Sequence, residues 1–119
     1  MPTTALIVDD HPSFRRFARR LLEAADYVVV GDAEDGAAAI ASVRALRPDV
    51  VLLDVLLPDM TGLDVAKELA VLSERPLVVL TSSRTASDLG SLVRTDDASG
   101  FIAKRDLTVA ALAGLVGGT

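Results

Sequence analysis

The feature that most constrains the fold is a set of short apolar runs, each ended by a turn-forming or polar residue and followed by a helical pattern. Ala5-Leu6-Ile7-Val8 ends at Asp9-Asp10, and Val50-Val51-Leu52-Leu53 ends at Asp54. Leu77 to Leu80 ends at Thr81-Ser82, and Phe101-Ile102-Ala103 ends at Lys104. A further run, Tyr27 to Val30, is broken by Gly31. Short runs that are apolar on both faces read as strands buried between two layers. Val50 to Leu53 is apolar throughout and is expected to be the central strand.

The intervening segments carry helical spacing. Phe14, Phe17, Ala18, Leu21, Leu22 and Ala25 mark one helix face, starting at Pro12 or Ser13. An Ala-rich helix is predicted from Asp35 to Arg47, stopped by Pro48, whose ring disfavours helical geometry in the residue before it. Pro58 to Gly62 reads as a turn, with a helix cap near Thr61, before Leu63, Ala66, Leu69 and Leu72. From Ser83 to Asp97, Leu89, Leu92 and Val93 suggest a helix face, but Gly90 and several Ser and Thr residues oppose it. That helix is expected to be short or distorted. Leu107 to Val116 is the last helix. The pattern is five βα units in order, which predicts a three-layer α/β/α fold on a five-stranded parallel sheet with right-handed crossovers.

Composition narrows the function. The 119 residues fit one domain, 1–119, and half are hydrophobic but only 3% aromatic, so the core must be aliphatic. A net charge of −5 repels phosphate backbones, so direct nucleic-acid binding by this chain is not expected. The absence of cysteine excludes disulfides and thiolate metal sites. No run approaches the roughly 20 apolar residues of a membrane span. The N-terminus lacks a signal-peptide pattern, because acidic residues follow only four apolar ones. A cytoplasmic chain without membrane contact is the expectation.

The polar residues at the strand ends suggest a site. In open α/β sheets ligands bind at the carboxyl ends of the strands, which is where Asp9, Asp10, Asp54, Thr81 and Lys104 would converge. Three neighbouring carboxylates repel one another unless a cation intervenes. Oxygen ligands suit Mg²⁺ completed by a phosphate oxygen. A hydroxyl and a lysine would hold further phosphate oxygens, and one carboxylate is left as a nucleophile. The combination reads as a place to form and hold an aspartyl phosphate. Plainer readings exist for each residue: a solvated turn for Asp9-Asp10, a helix cap for Thr81 and Ser82, a surface lysine for Lys104. His11 reads as an exposed loop residue at the rim. Arg15, Arg16, Arg19 and Arg20 read as a solvated helix face or a docking surface for an acidic partner, and Phe14 and Phe17 as core.

Four segments, ALIVDDHPSFRR, PDVVLLDVLLPDMTGLD, PLVVLTSS and ASGFIAK, together resemble the response-regulator receiver domains (CheY-like) of two-component signalling. The resemblance implies the flavodoxin-like strand order 2-1-3-4-5. It implies that Asp54 is the phosphoacceptor and also a Mg²⁺ ligand, Asp10 a direct Mg²⁺ ligand, Asp9 a ligand through water, and Leu56 a ligand by its backbone carbonyl. It makes Thr81 the switch hydroxyl, Lys104 the partner of a phosphate oxygen, and Phe101 the aromatic whose rotation follows the switch. The implied function is a signalling switch rather than a metabolic enzyme. It would take a phosphoryl group from a phosphohistidine on a sensor histidine kinase or histidine phosphotransfer protein, alter binding to a downstream output domain or protein, and slowly dephosphorylate itself. Oligomeric state stays open, with dimerisation on phosphorylation compatible. Two rival readings compete with it. A haloacid-dehalogenase-type phosphatase would need an aspartate where Leu56 stands, and a phosphorylation-independent interaction module would gain nothing from clustered carboxylates. Two departures from the family pattern are Arg105, where Pro is usual, and Asp97, where Gly is common.

Overall fold

The computed structural model describes residues 2–83 and 97–116, and within them strands and helices alternate along the chain. The strands are β1 (Thr4–Val8), β2 (Val28–Ala33), β3 (Val50–Asp54), β4 (Leu77–Ser82) and β5 (Gly100–Ala103). The helices are α1 (Pro12–Ala24), α2 (Gly36–Leu46), α3 (Gly62–Ala70) and α4 (Val109–Val116). All strand pairs are parallel, in the order β2-β1-β3-β4-β5. The expected fold is therefore observed, with β3 central and every one of its residues buried.

Strand alternation sorts the core into two layers. Ala5, Ile7, Val50, Leu52, Val79 and Ile102 pack with Ala18 and Leu22 of α1 and Leu112 of α4. Their neighbours Leu6, Val8, Val51, Leu53, Val78 and Leu80 pack on the opposite face with α2 and α3. Carrying the first alternation one step past its last apolar member arrives at Asp9, Asp54, Thr81 and Lys104. All four polar residues thus belong to the α1/α4 face, at one end of the sheet.

Helix starts follow local chemistry. Pro12 opens α1, where its missing N–H costs nothing. The Asp35 side chain accepts from Ala38 N at 2.8 Å and caps α2. Thr61 and Asp64 form a capping box at α3.

Three details differ from the sequence reading. Gly31 does not end β2: the strand continues to Ala33 through a register shift that leaves Val30 unpaired with β1. A glycine within a strand often marks such a bulge rather than a break. The final helix begins at Val109, not Leu107. Lys104–Asp106 form a 3-10 turn, Leu107 is buried, and the Thr108 hydroxyl accepts from Ala111 N at 3.0 Å. Phe14 is partly buried in the core, but Phe17 is 48% exposed, one position off the stripe of Ala18 and Leu22. Among the described non-glycine residues, left-handed φ falls on Asp26 and Arg47, just past α1 and α2. The helix expected between Ser83 and Asp97 lies almost wholly outside the described residues. Among the described residues no helix is long and apolar enough to cross a membrane.

Candidate phosphoryl-transfer site

Asp54 is the last residue of the central strand and is almost fully buried. Asp9 follows the end of β1 and has no exposed surface. Lys104 follows β5 and brings its ammonium between them, 2.6 Å from Asp9 Oδ2 and 3.3 Å from Asp54 Oδ2. The same ammonium lies 4.6 Å from the centroid of the Phe14 ring, a favourable cation–π placement. Thr81 is paired in register with Asp54 on the adjacent strand. Its Oγ1 is buried and has no hydrogen-bond partner among the described residues. A buried hydroxyl left unpaired costs stability unless something else satisfies it.

Asp10 lies past the strand end and is partly exposed, and His11 is mostly exposed. His11 Nδ1 stands 3.1 Å from Asp9 Oδ1 and 3.0 Å from Asp10 Oδ1, within hydrogen-bond reach of both carboxylates. The rim position expected for His11 is thus observed. Arg15 is closer to the site than its basic neighbours: its guanidinium donates to the Asp9 carbonyl oxygen at 2.7 Å.

Burial pushes the Asp54 carboxyl above the ordinary carboxylate range. The Lys104 ammonium opposes that shift, the Asp9 charge adds to it, and hydrogen bonds from Leu56 N and Lys104 lower it in part. Two buried carboxylates, Asp9 and Asp54, therefore share one ammonium, and a third, Asp10, stands at the exposed edge. Ligand atoms of Asp9, Asp10, His11 and Asp54 all lie within 4.8 Å of one another. The uncompensated charge and the carboxylate oxygens fit a hard divalent cation.

The loop after Asp54 is tightly closed. Leu56 N donates to Asp54 Oδ1 at 3.2 Å, Gly62 N to the Val55 carbonyl at 2.6 Å, and Leu56 and Thr61 form an antiparallel bridge. A Cβ on Gly62 would stand 2.2 Å from the Asp54 carbonyl oxygen, so only glycine fits there.

The sequence matches the response regulator receiver domain family over residues 5–112. The chain belongs to this family. Among curated relatives it is 43% identical over 86 residues to the DNA-binding response regulator MtrA of Mycolicibacterium smegmatis, covering 71% of this chain and 36% of that protein. It is 37% identical over 78 residues to the transcriptional regulatory protein YdfI of Bacillus subtilis, covering 65% and 37%. Among solved structures it superposes with a TM-score of 0.85, at 33% identity, on the signal receiver domain of a protein assigned as the response regulator NarL of Mycobacterium tuberculosis, covering 99% of this chain and 98% of that one. The match spans between 24% and 56% of the length of the curated relatives compared.

For this receiver domain, the structure brings Asp9, Asp54 and Lys104 into direct contact and sets Thr81 beside Asp54 in register. Asp10 stands at the outer edge of the same cluster, and Leu56 is exposed on the loop after β3. Phe101 is not in the cluster. It pairs with Leu80 and packs against the α2/α3 layer, one register position from Thr81, which pairs with Ile102. Sequence reasoning singled out neither Gly62 as a close-approach residue nor Arg15 as a partner of Asp9. A glycine at the first position of a helix already capped by Thr61 was the available signal for the former. Nothing local marked the latter, since a helical arginine looks the same whatever carbonyl it reaches. The phosphatase reading is not favoured, given the family match and the leucine at position 56.

Proposed function

We propose that this receiver domain accepts a phosphoryl group on Asp54 with Mg²⁺ in the acidic cluster, and that the modification alters binding to an output partner. The observation that carries the reading is the Lys104 ammonium spanning buried Asp9 and Asp54 beside the Thr81 hydroxyl, which has no partner among the described residues. That set has a nucleophile, a cation and a spare donor at one strand end.

In this reading a phosphohistidine of a sensor kinase or phosphotransfer protein is the donor. Its P–N bond breaks as an Asp54 carboxylate oxygen forms the new P–O bond, and the imidazole leaves with the electron pair. Asp10 and the Leu56 carbonyl, with Asp9 through water, would hold Mg²⁺. When bound, the ion offsets charge on the carboxylates and polarises phosphoryl oxygens. Lys104 exchanges its contact with Asp9 for a phosphoryl oxygen. Thr81 donates its hydroxyl to another, since the group adds about two negative charges and three acceptor oxygens. Movement of Thr81 reaches Phe101 through the β4–β5 pairing, because the two residues are offset by one register position. The partly buried Phe ring already packs against the core, which supports a resting state that leaks toward the active one.

Likeness to the DNA-binding response regulator MtrA suggests that the output partner is a DNA-binding domain, with this acidic domain, 1–119, regulating it rather than touching DNA. A cytoplasmic location follows from that role. Self-dephosphorylation by water attack completes the cycle, with no metabolic substrate turned over.

Incubation with a small acyl phosphate tests the reading. Labelling is expected with Mg²⁺ and is expected to disappear in excess chelator and in Asp10→Ala. Undiminished labelling under either condition contradicts the metal role. Thr81→Ala should still be labelled but lose most of the phosphorylation-dependent NMR shift at Phe101; equal shifts in both proteins would exclude Thr81 as the switch.

A further inference from the structure

Residues 55–62 form a loop closed at its base, just after β3, by Gly62 N on the Val55 carbonyl and by the Leu56–Thr61 bridge. Its tip is held by a different element. Asp59 Oδ1 accepts from Gly36 N at 2.8 Å and Asp59 Oδ2 from Ala37 N at 3.0 Å, the first two residues of α2. Helix N-terminal N–H groups lack partners within their own helix and are met by side chains. Here α2 uses two carboxylates: its own Asp35 for Ala38, and Asp59, 23 residues away, for Gly36. The two backbone donors hold the Asp59 carboxyl below the ordinary carboxylate range. Met60, the next residue, lies flat on Gly36, where a Cβ would stand 2.4 Å from its Cγ. The contact is thus shaped on both sides, by a carboxylate that matches two N–H groups and by a glycine that admits a methionine.

We propose that Asp59 is a positioning residue. It latches the loop tip to α2 and so fixes the backbone of Leu56, three residues earlier, in the place that metal binding requires. The inference rests on the reading of Asp54 and its neighbours as a Mg²⁺ and phosphoryl site. It differs from an ordinary capping role in one respect: a cap supports only its helix, whereas a latch also sets metal affinity. Groups that hydrogen-bond directly to a metal's ligands are worth about 10–100-fold in metal affinity, and a group acting through the loop backbone belongs at the low end.

Asp35 supplies the comparison, since it caps the same helix without touching the loop. Calorimetric titration with Mg²⁺ alone, with Tm measured in parallel, is compared for the unaltered chain, Asp35→Ala, Asp59→Ala and Asp59→Asn. Both alanine variants should lower Tm. Only Asp59→Ala should weaken Mg²⁺ binding, by about 10-fold. Asp59→Asn keeps one acceptor oxygen and should recover part of that loss, and it carries the test if Asp59→Ala does not fold. Mg²⁺ affinity unchanged in the Asp59 variants, or weakened equally in Asp35→Ala, overturns the latch. Acyl phosphate labelling of the unaltered chain separates the two levels. A chain that binds Mg²⁺ and is labelled, with Asp59 variants of normal affinity, loses the latch but keeps the phosphoacceptor reading. A chain that neither binds Mg²⁺ nor is labelled loses both.

Discussion

Asp54 weakens the fold that holds it. Its carboxyl titrates above its ordinary 3.8 because burial disfavours the charged form more than Lys104 favours it. For a group whose folded pKa is raised, the stabilising contribution is complete below the unfolded value and is lost as pH rises through the folded one. Asp54→Asn removes the charge while Lys104 keeps its contact with Asp9. This variant should therefore have a higher urea midpoint than the parent at pH 7 without divalent cations, and the gap should narrow as pH falls through the raised folded value and be gone below 3.8. An equal or lower midpoint at pH 7 would show that the Lys104 contact outweighs burial. Asp59 runs in the opposite direction. Its folded pKa is lowered, so its contribution is present above 3.8 and disappears as pH falls through the folded value. The residues at strand ends were legible because each interrupts an apolar run, and a buried strand has no structural use for a charge at its tip. Asp59 was not, because an acidic residue in a turn looks solvated until the helix that meets it is placed.

At the scale of elements, the β3–α3 connection is the most constrained. Gly62 has backbone, not a flexible side chain, where a Cβ would go. Gly62→Ala should cost about 1–3 kcal/mol by forced displacement, with reduced labelling of Asp54. Thr61→Ala removes half of the capping box next to it and should cost about 1 kcal/mol while leaving labelling intact. Chemical denaturation with parallel labelling separates the two; intact labelling in Gly62→Ala would mean that the loop relaxes without disturbing the acceptor. Most strands and helices were legible from run length and spacing. The errors arose where two principles compete. Gly31 has the residue type of a strand end but serves a bulge. Leu107 has the hydrophobicity of a helix start, yet its burial is reached from an extended residue ahead of the Thr108 cap.

For the whole molecule, alternation within each strand builds two aliphatic layers and also aims the site. The α1/α4 face holds Ile7, Leu52, Val79 and Ile102, and one step further along each of those strands stands a site residue. Fold and function thus share one register, and a one-residue slip would turn every site residue to the other face. Leu52→Ala and Leu53→Ala open cavities in opposite layers, and each should cost roughly 2–5 kcal/mol in chemical denaturation. A loss below 1 kcal/mol for either would show a layer able to collapse around the gap. Parallel topology was legible from the alternation of strands and helices, because consecutive parallel strands need crossovers. Strand order was not, since short apolar runs do not name their neighbours; it came with the resemblance of the four motif segments. The central claim, that Asp54 is where the chemistry happens, is tested most directly by mapping the modified peptide after acyl phosphate treatment in Mg²⁺. The account predicts a phosphoryl group on the peptide carrying Asp54 and none anywhere in Asp54→Asn. A modified Asp9 or Asp10, or labelling that survives in Asp54→Asn at the parent rate, would contradict it.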